Sequence, residues 1–318
     1  MADSLALALV WAALGLHLVG ERRAAILTGR PRGSRARRRA ITFYAGLATV
    51  FVALATPIDA LAEKLLWVHM IQHMLLLTVA APLIVLGAPW RSLWRPLPLG
   101  FRRKLARAAY RSPALAPGRA LCRALATPLG AWLMFAGGLY AWHLPAAYEL
   151  ALKHTTVHAL QHITFIGCGI LFWAHVTGSP PARPVLSRLK RITYVGAGAA
   201  ANVVIAMILA FSVSALYPHY AHLGHRPGGI SALTDQQIAA GIMWSLGDVP
   251  FGIAIAWLVH GWLSEEERRT RDLDELAAIP APDTTVAAKP SPDAPLEPPR
   301  EADDDRQRQP GRPAGQLT

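Results

Sequence analysis

Two histidine pairs carry most of the chemistry this sequence offers. Val68-His69-Met70-Ile71-Gln72-His73 recurs as Val157-His158-Ala159-Leu160-Gln161-His162, and each copy opens a long apolar run. In a helix, residues four apart share a face, so each H-x-x-Q-H sets two imidazoles side by side. Imidazole is the commonest protein metal ligand and suits copper, iron and zinc. Together the pairs could supply four nitrogens to one ion, or two to each of two. Met70 and Met74 offer thioethers, soft ligands favoured by Cu(I), but a methionine adjacent to a histidine points to another side of the helix. Gln72 and Gln161 are candidate hydrogen-bond partners for the ligands.

Other residues could support or relay a metal. His154 lies one turn before His158. From His154 to His162 is about 12 Å along a helix, so these three histidines cannot share one ion without unwinding. His143 ends an apolar run. Asp248, in Gly247-Asp248-Val249-Pro250, falls about 18 Å into the last apolar run, where a carboxylate needs a partner. It could ligate metal, orient a histidine, carry protons or bond Asn202 as a structural pair. Pro250 removes a donor, leaving a carbonyl near Leu246 unpaired, and predicts a kink. His17, His175 and His260, taken singly, read as interfacial polar groups. His219, His222 and His225 could collect metal or simply be solvated.

These side chains must be positioned by helices in a membrane. Apolar residues make up 53% of the 318 and charged residues 16%, with ten Trp, a balance foreign to a soluble globule. The fold class expected is an all-α polytopic membrane helix bundle. The net charge of +12 sits in blocks between apolar runs, which reads as topology and contact with membrane lipid; no nucleic-acid partner is expected. Cys122 and Cys168 form no C-x-x-C pair, which argues against a thiolate shuttle. Asp3 with no preceding basic residue reads as a retained helix rather than a signal peptide.

Seven runs approach the roughly 20 residues a span needs: 4–20, 39–56, 65–87, 128–143, 154–177, 192–216 and 237–262. Segments 21–40, 88–127 and 178–191 hold twenty-one Lys and Arg, against three (Lys64, Lys153, Arg226) in the alternate loops. The positive-inside rule then puts the N-terminus outside and the C-terminus inside. Phe101–Arg111 mixes apolar and basic residues at helical spacing, as in a helix lying on the inner surface. Residues 1–263 form the transmembrane domain and 264–318 a cytoplasmic tail. Ser264–Asp274 is expected to continue the last helix, and the Pro-rich remainder from about 280 to be disordered.

With this topology, nine of the twelve histidines lie in or beyond the outer half of the membrane. Spans three and five run the same way. Pro57 precedes His69 by twelve residues, Pro145 precedes His158 by thirteen, and Lys64 and Lys153 each stand five before the first histidine. The hairpins of spans two–three and four–five therefore read as a parallel repeat, an arrangement that puts sites at the shared interface.

The run from Trp67 through His69, Gln72 and His73, followed by Ala81-Pro82-Leu83 and Gly87-Ala88-Pro89, resembles the caa3-type cytochrome c oxidase assembly factors of the Bacillus-type CtaG family. So does Trp142-His143-Leu144-Pro145 with Tyr148, His158-x-x-Gln161-His162 and Phe172-Trp173. The resemblance covers roughly residues 40–262. It implies a multi-spanning bacterial plasma-membrane protein that serves formation of active haem–copper oxidase, with oxidase subunits as partners and copper as cargo. The other class of that name has a single anchor and a cysteine-based copper site, neither of which is present. On this reading His69, His73, His158 and His162 are exchangeable copper ligands, with His143, His154 and Asp248 in support. Alternatives are a haem-binding membrane protein, its histidines on facing helices as axial ligands, and a proton-coupled small-solute transporter. No nucleotide motif or nucleophile–base pair points to an enzyme.

Overall fold

The computed structural model describes residues 2–29, 33–180, 182 and 185–278, with backbone alone for 2–6 and 277. Every regular element among them is helical. In order they are α1 (Ala2–Thr28), α2 (Ser34–Ala55), α3 (Pro57–Ala62), α4 (Leu66–Met74), a π-helical turn (Leu75–Ala80), α5 (Ala81–Gly87), α6 (Trp90–Trp94), α7 (Leu99–Arg111) and α8 (Ala116–Leu125). There follow α9 (Pro128–His143), α10 (Pro145–Lys153), α11 (Thr155–Thr177), α12 (Arg188–Phe211), α13 (Pro218–Ala221), α14 (Ala232–Trp244) and α15 (Val249–Ala277). The chain divides into two units, Met1–Glu267 and Arg268–Thr318. The second is helical over 268–277; the segment expected to be disordered lies outside the described residues.

Five helices among the described residues are long and apolar enough to cross a membrane: Ser34–Ala55, Leu66–Gly87, Thr155–Thr177, Arg188–Phe211 and the broken Ala232–Leu276. Pro113–Leu125 and Pro128–His143, bent at 86°, make a sixth if taken as one span. This is fewer than the seven expected, and two spans also differ in shape. The sixth run ends at Phe211 rather than 216, because Gln236 offers its last turn an alternative: its Nε2 donates to Leu209 O at 3.0 Å and its Oε1 accepts from Leu216 N at 2.7 Å. The last run is interrupted between Trp244 and Val249. Pro250 has no N–H for Leu246 O, and Asn202 Nδ2 donates to the terminal Met243 O at 2.8 Å.

The helix carrying the first histidine pair is itself irregular. Pro82 cannot donate to Thr78 O, and the ladder passes through the π turn Leu75–Ala80. Two contacts bind this turn to α11. Trp173 Nε1 donates to Leu77 O at 3.0 Å, and Gly169 lets the backbones close, since a Cβ there would stand 2.8 Å from Ala81 Cβ. Phe135, Phe165, Phe172, Trp173 and Phe251 fill the core between α9, α11 and α15. A second apolar cluster joins α1 and α2 to the π turn and α5. α7 buries none of its residues, as suits a helix lying on a surface.

The repeat is visible in the backbone. Each histidine helix is preceded by a short helix opening on proline, Pro57 in α3 and Pro145 in α10. Each then turns through one extended residue, Leu65 (φ −133°, ψ 117°) and His154 (φ −126°, ψ 111°).

Candidate metal centre

The two H-x-x-Q-H helices bring their imidazoles together. His69, His73 and His162 are buried and each offers a ring nitrogen within 4.8 Å of the others, the one group of three or more metal-type side chains so placed among the described residues. Within each pair the ring centroids are 4.3 Å apart, as four-residue helical spacing requires. Across the helices His73 and His162 are 5.8 Å apart, and His69 and His158 5.3 Å. His143, from the end of α9, stands 6.2 Å from His73. Five imidazoles thus line one continuous core, floored by Phe165 at 4.7 Å from His73 and walled by Tyr148 at 5.1 Å from His69.

Hydrogen bonds select which nitrogens face inward. Tyr220 donates its hydroxyl to Ala62 O at 2.6 Å and lies 2.9 Å from His69 Nδ1. With its proton committed to the carbonyl, Tyr220 Oη accepts from Nδ1–H, which leaves the lone pair of His69 on Nε2. Burial pushes the phenols of Tyr220 and Tyr217 well above their ordinary range, so both remain protonated donors. His143 Nδ1 donates to Leu139 O at 2.7 Å, which likewise frees Nε2. Among the described residues His69 Nε2, His143 Nε2, His158 Nε2 and both nitrogens of His73 have no hydrogen-bond partner. Buried polar atoms are seldom left so, and those of His69 and His73, which with His162 offer ring nitrogens within 4.8 Å of one another, fit a cation.

The frame around them is built from distant parts of the chain. α4 has no side-chain cap of its own at Leu65. Asp235 of α14, fully buried, supplies one, accepting from Leu66 N and Trp67 N at 3.0 Å each. Arg226 Nε stands 3.9 Å from the same carboxylate. Tyr217 donates to His143 O at 3.0 Å.

The remaining candidates lie at the edge of the cluster or outside it. His158 is half-buried at the edge of the cluster. His154 is exposed at the N-cap of α11, because the extended turn before that helix carries its side chain off the shared face. Asp248 sits in the break before α15 and accepts from Asn202 Nδ2 at 2.9 Å, the structural pairing among the options its position allowed. Gln72 donates to Ala53 O and Asp59 Oδ1 at 2.9 and 3.0 Å, tying α4 to α2 and α3. Met74 Sδ faces Gly247. His17 pairs with Tyr44 Oη at 3.0 Å, His175 with Ala126 O at 3.1 Å, and His260 is exposed. His219 Nε2 donates to Glu63 O at 3.0 Å, while His222 and His225 are exposed. Sequence reasoning passed over Tyr220, Tyr217 and Asp235. Asp235 did carry a signal, as the one acid between Glu149 and Asp248, in the first turn of an apolar helix.

Apolar helices of spanning length around a buried imidazole cluster define a helical, multi-span membrane protein with a candidate metal site. The family model for cytochrome c oxidase caa3 assembly factors matches residues 22–265, and the chain belongs to this family. Its relatives include uncharacterised proteins of Mycobacterium bovis and Mycobacterium tuberculosis, each 26% identical over 233 residues, and one of Mycobacterium leprae, 22% identical over 237. Each match covers 72% of this chain and 35% of the relative, so the chain spans about a third of the length of these proteins. No solved structure matches.

Proposed function

We propose that this protein is a bacterial plasma-membrane assembly factor for haem–copper cytochrome c oxidase that holds copper as cargo on His69, His73 and His162. The observation that carries the reading is the convergence of three buried imidazoles from two H-x-x-Q-H helices. Metal–imidazole bonds are about 2 Å long, so nitrogens within 4.8 Å of one another have to draw closer by about an ångström to share one ion. His143 and His158, at the margins of the cluster, are placed to exchange with the three as copper enters or leaves. A buried, all-nitrogen site suits copper and binds without consuming a substrate, in keeping with a family defined by assembly rather than catalysis. Rings packed edge-on or tilted 4.3–6.5 Å apart, against one another and Tyr148, support a bare ion over a porphyrin, which needs an open slot between its axial ligands.

The distribution of twenty-one basic residues against three supports seven spans with the N-terminus outside. The cluster then lies in the outer half of the membrane, the side from which an oxidase centre facing outward would be loaded.

The test is complementation of a strain lacking the gene, grown at low copper, alongside metal analysis of the purified proteins. Wild type is expected to restore oxidase activity and to carry about one copper per chain. H69A, H73A and H162A are each expected to do neither while reaching the membrane at normal levels. Normal oxidase activity in the deletion strain at low copper would remove the assembly role. Equal copper in wild type and the three variants would remove the site.

A further inference from the structure

Far along the bundle from the histidines, four arginines surround one cavity. The cavity, of about 560 Å³, lies between α1, the start of α2 and the α5–α6 junction, and is lined by Arg35, Arg39, Arg91 and Arg95. Glu21 is its one acidic lining residue, and that carboxylate accepts a hydrogen bond from Ser92 Oγ. Among the described residues none of the four guanidinium groups has an ion pair or a side-chain hydrogen bond. Four guanidinium groups beside one carboxylate, with Arg35, Arg39 and Arg91 open to solvent, make a net positive cleft that favours an anion.

The walls are close-packed. A Cβ on Gly20 would stand 1.8 Å from Ser92 O, so α1 lies directly on α6. A Cβ on Gly87 would stand 2.6 Å from Phe43 Cβ, which seats the end of α5 on α2. Arg23 donates to Pro96 O at 2.8 Å and holds the chain leaving α6. These contacts keep the cavity open and leave the arginine side chains to line it. Beside it, a second cavity of about 540 Å³ is lined by Ser34, Arg35, Arg38, Arg39, Thr42 and Leu86. The basic lining thus runs along α2 to Leu86, which like Ile41 is exposed, so a phosphodiester held by the arginines has apolar surface beside it for an acyl chain.

We propose that this cavity binds the phosphate headgroup of an anionic phospholipid, with Arg39 and Arg91 as principal contacts. Guanidinium binds phosphate through two parallel N–H···O bonds, and basic pockets between span helices on the inner side are suited to such headgroups. A free phosphate shares the headgroup chemistry but leaves the apolar surface at Ile41 and Leu86 uncovered. The inference is independent of any metal at the histidine cluster.

The test uses the full chain purified in mild detergent, with retained lipid counted by native mass spectrometry and melting followed as lipid is added. The wild-type protein is expected to retain phosphatidylglycerol or cardiolipin, and to melt higher with these than with phosphatidylcholine. R39Q/R91Q is expected to bind them about tenfold more weakly. R268Q/R269Q removes the same charge from the exposed, charged extension of α15 and is expected to bind as wild type does. R39K/R91K keeps the charge while losing the guanidinium fork, and is expected to fall between, which covers the case in which the glutamine pair does not fold. Equal weakening in both glutamine pairs, or in neither, would overturn the site. Inorganic phosphate reproducing the full shift in melting would overturn the lipid.

Discussion

At the scale of the residue, the site depends on which nitrogen of each imidazole carries a proton. Tyr220 makes that choice for His69 by accepting from Nδ1–H while donating to Ala62 O. Tyr220→Phe keeps the ring and its packing but removes the acceptor, so His69 can turn or change tautomer. Partners of this kind are worth about 10–100-fold in metal affinity. Copper affinity measured by competition with a chromogenic Cu(I) chelator is expected to fall by that factor, with the helical circular dichroism unchanged. An unchanged affinity would mean that packing alone orients His69. The two histidine pairs were legible in the sequence because four-residue spacing shows in a single helix. Tyr220 was not, because its role depends on a contact 151 residues away.

At the scale of the element, α4 is held at its first turn by a residue from α14. Asp235 satisfies two backbone donors and faces Arg226 at 3.9 Å. Asp235→Ala would leave both N–H groups and a buried guanidinium without compensation, which costs about 3–5 kcal/mol for a broken buried pair. Thermal unfolding in detergent should show a large fall in midpoint, and Asp235→Asn, which retains one acceptor oxygen, a smaller one. A negligible change in Asp235→Ala would show that α4 is anchored by its apolar contacts alone. The π turn and the break after Trp244 follow from Pro82 and Pro250, which each deny a carbonyl its donor. Pro250 announced its kink in the sequence. The early end of α12 was less legible, because Gln236 competes for its last turn from another helix.

At the scale of the whole molecule, the proposed orientation rests on the basic loops. Cys122 is exposed on α8 and Cys168 is buried in α11, so the native thiols report the orientation directly. In intact cells a membrane-impermeant maleimide should leave the wild-type protein unlabelled and react with Cys122 only after permeabilisation. A cysteine introduced at exposed His222 should label without it. Labelling of Cys122 in intact cells would invert the topology and put the histidine cluster in the inner half of the bilayer.

What the sequence determined by itself is what local pattern and composition can carry. The helical class follows from apolar runs of spanning length and the paired imidazoles from helical spacing, and a repeat is suggested by Pro57 and Pro145, twelve and thirteen residues before the histidines. The charge asymmetry predicts an orientation in the same way. Only the tertiary structure decided which imidazoles meet, that His154 is left outside on an extended turn, that Asp248 bonds Asn202, and that Tyr220 and Asp235 complete the frame. The physical reason is that periodicity acts within one helix, whereas a site closes through packing between helices. There the approach at Gly169, the π turn at Leu75–Ala80 and the cap from Asp235 set which side chains face one another.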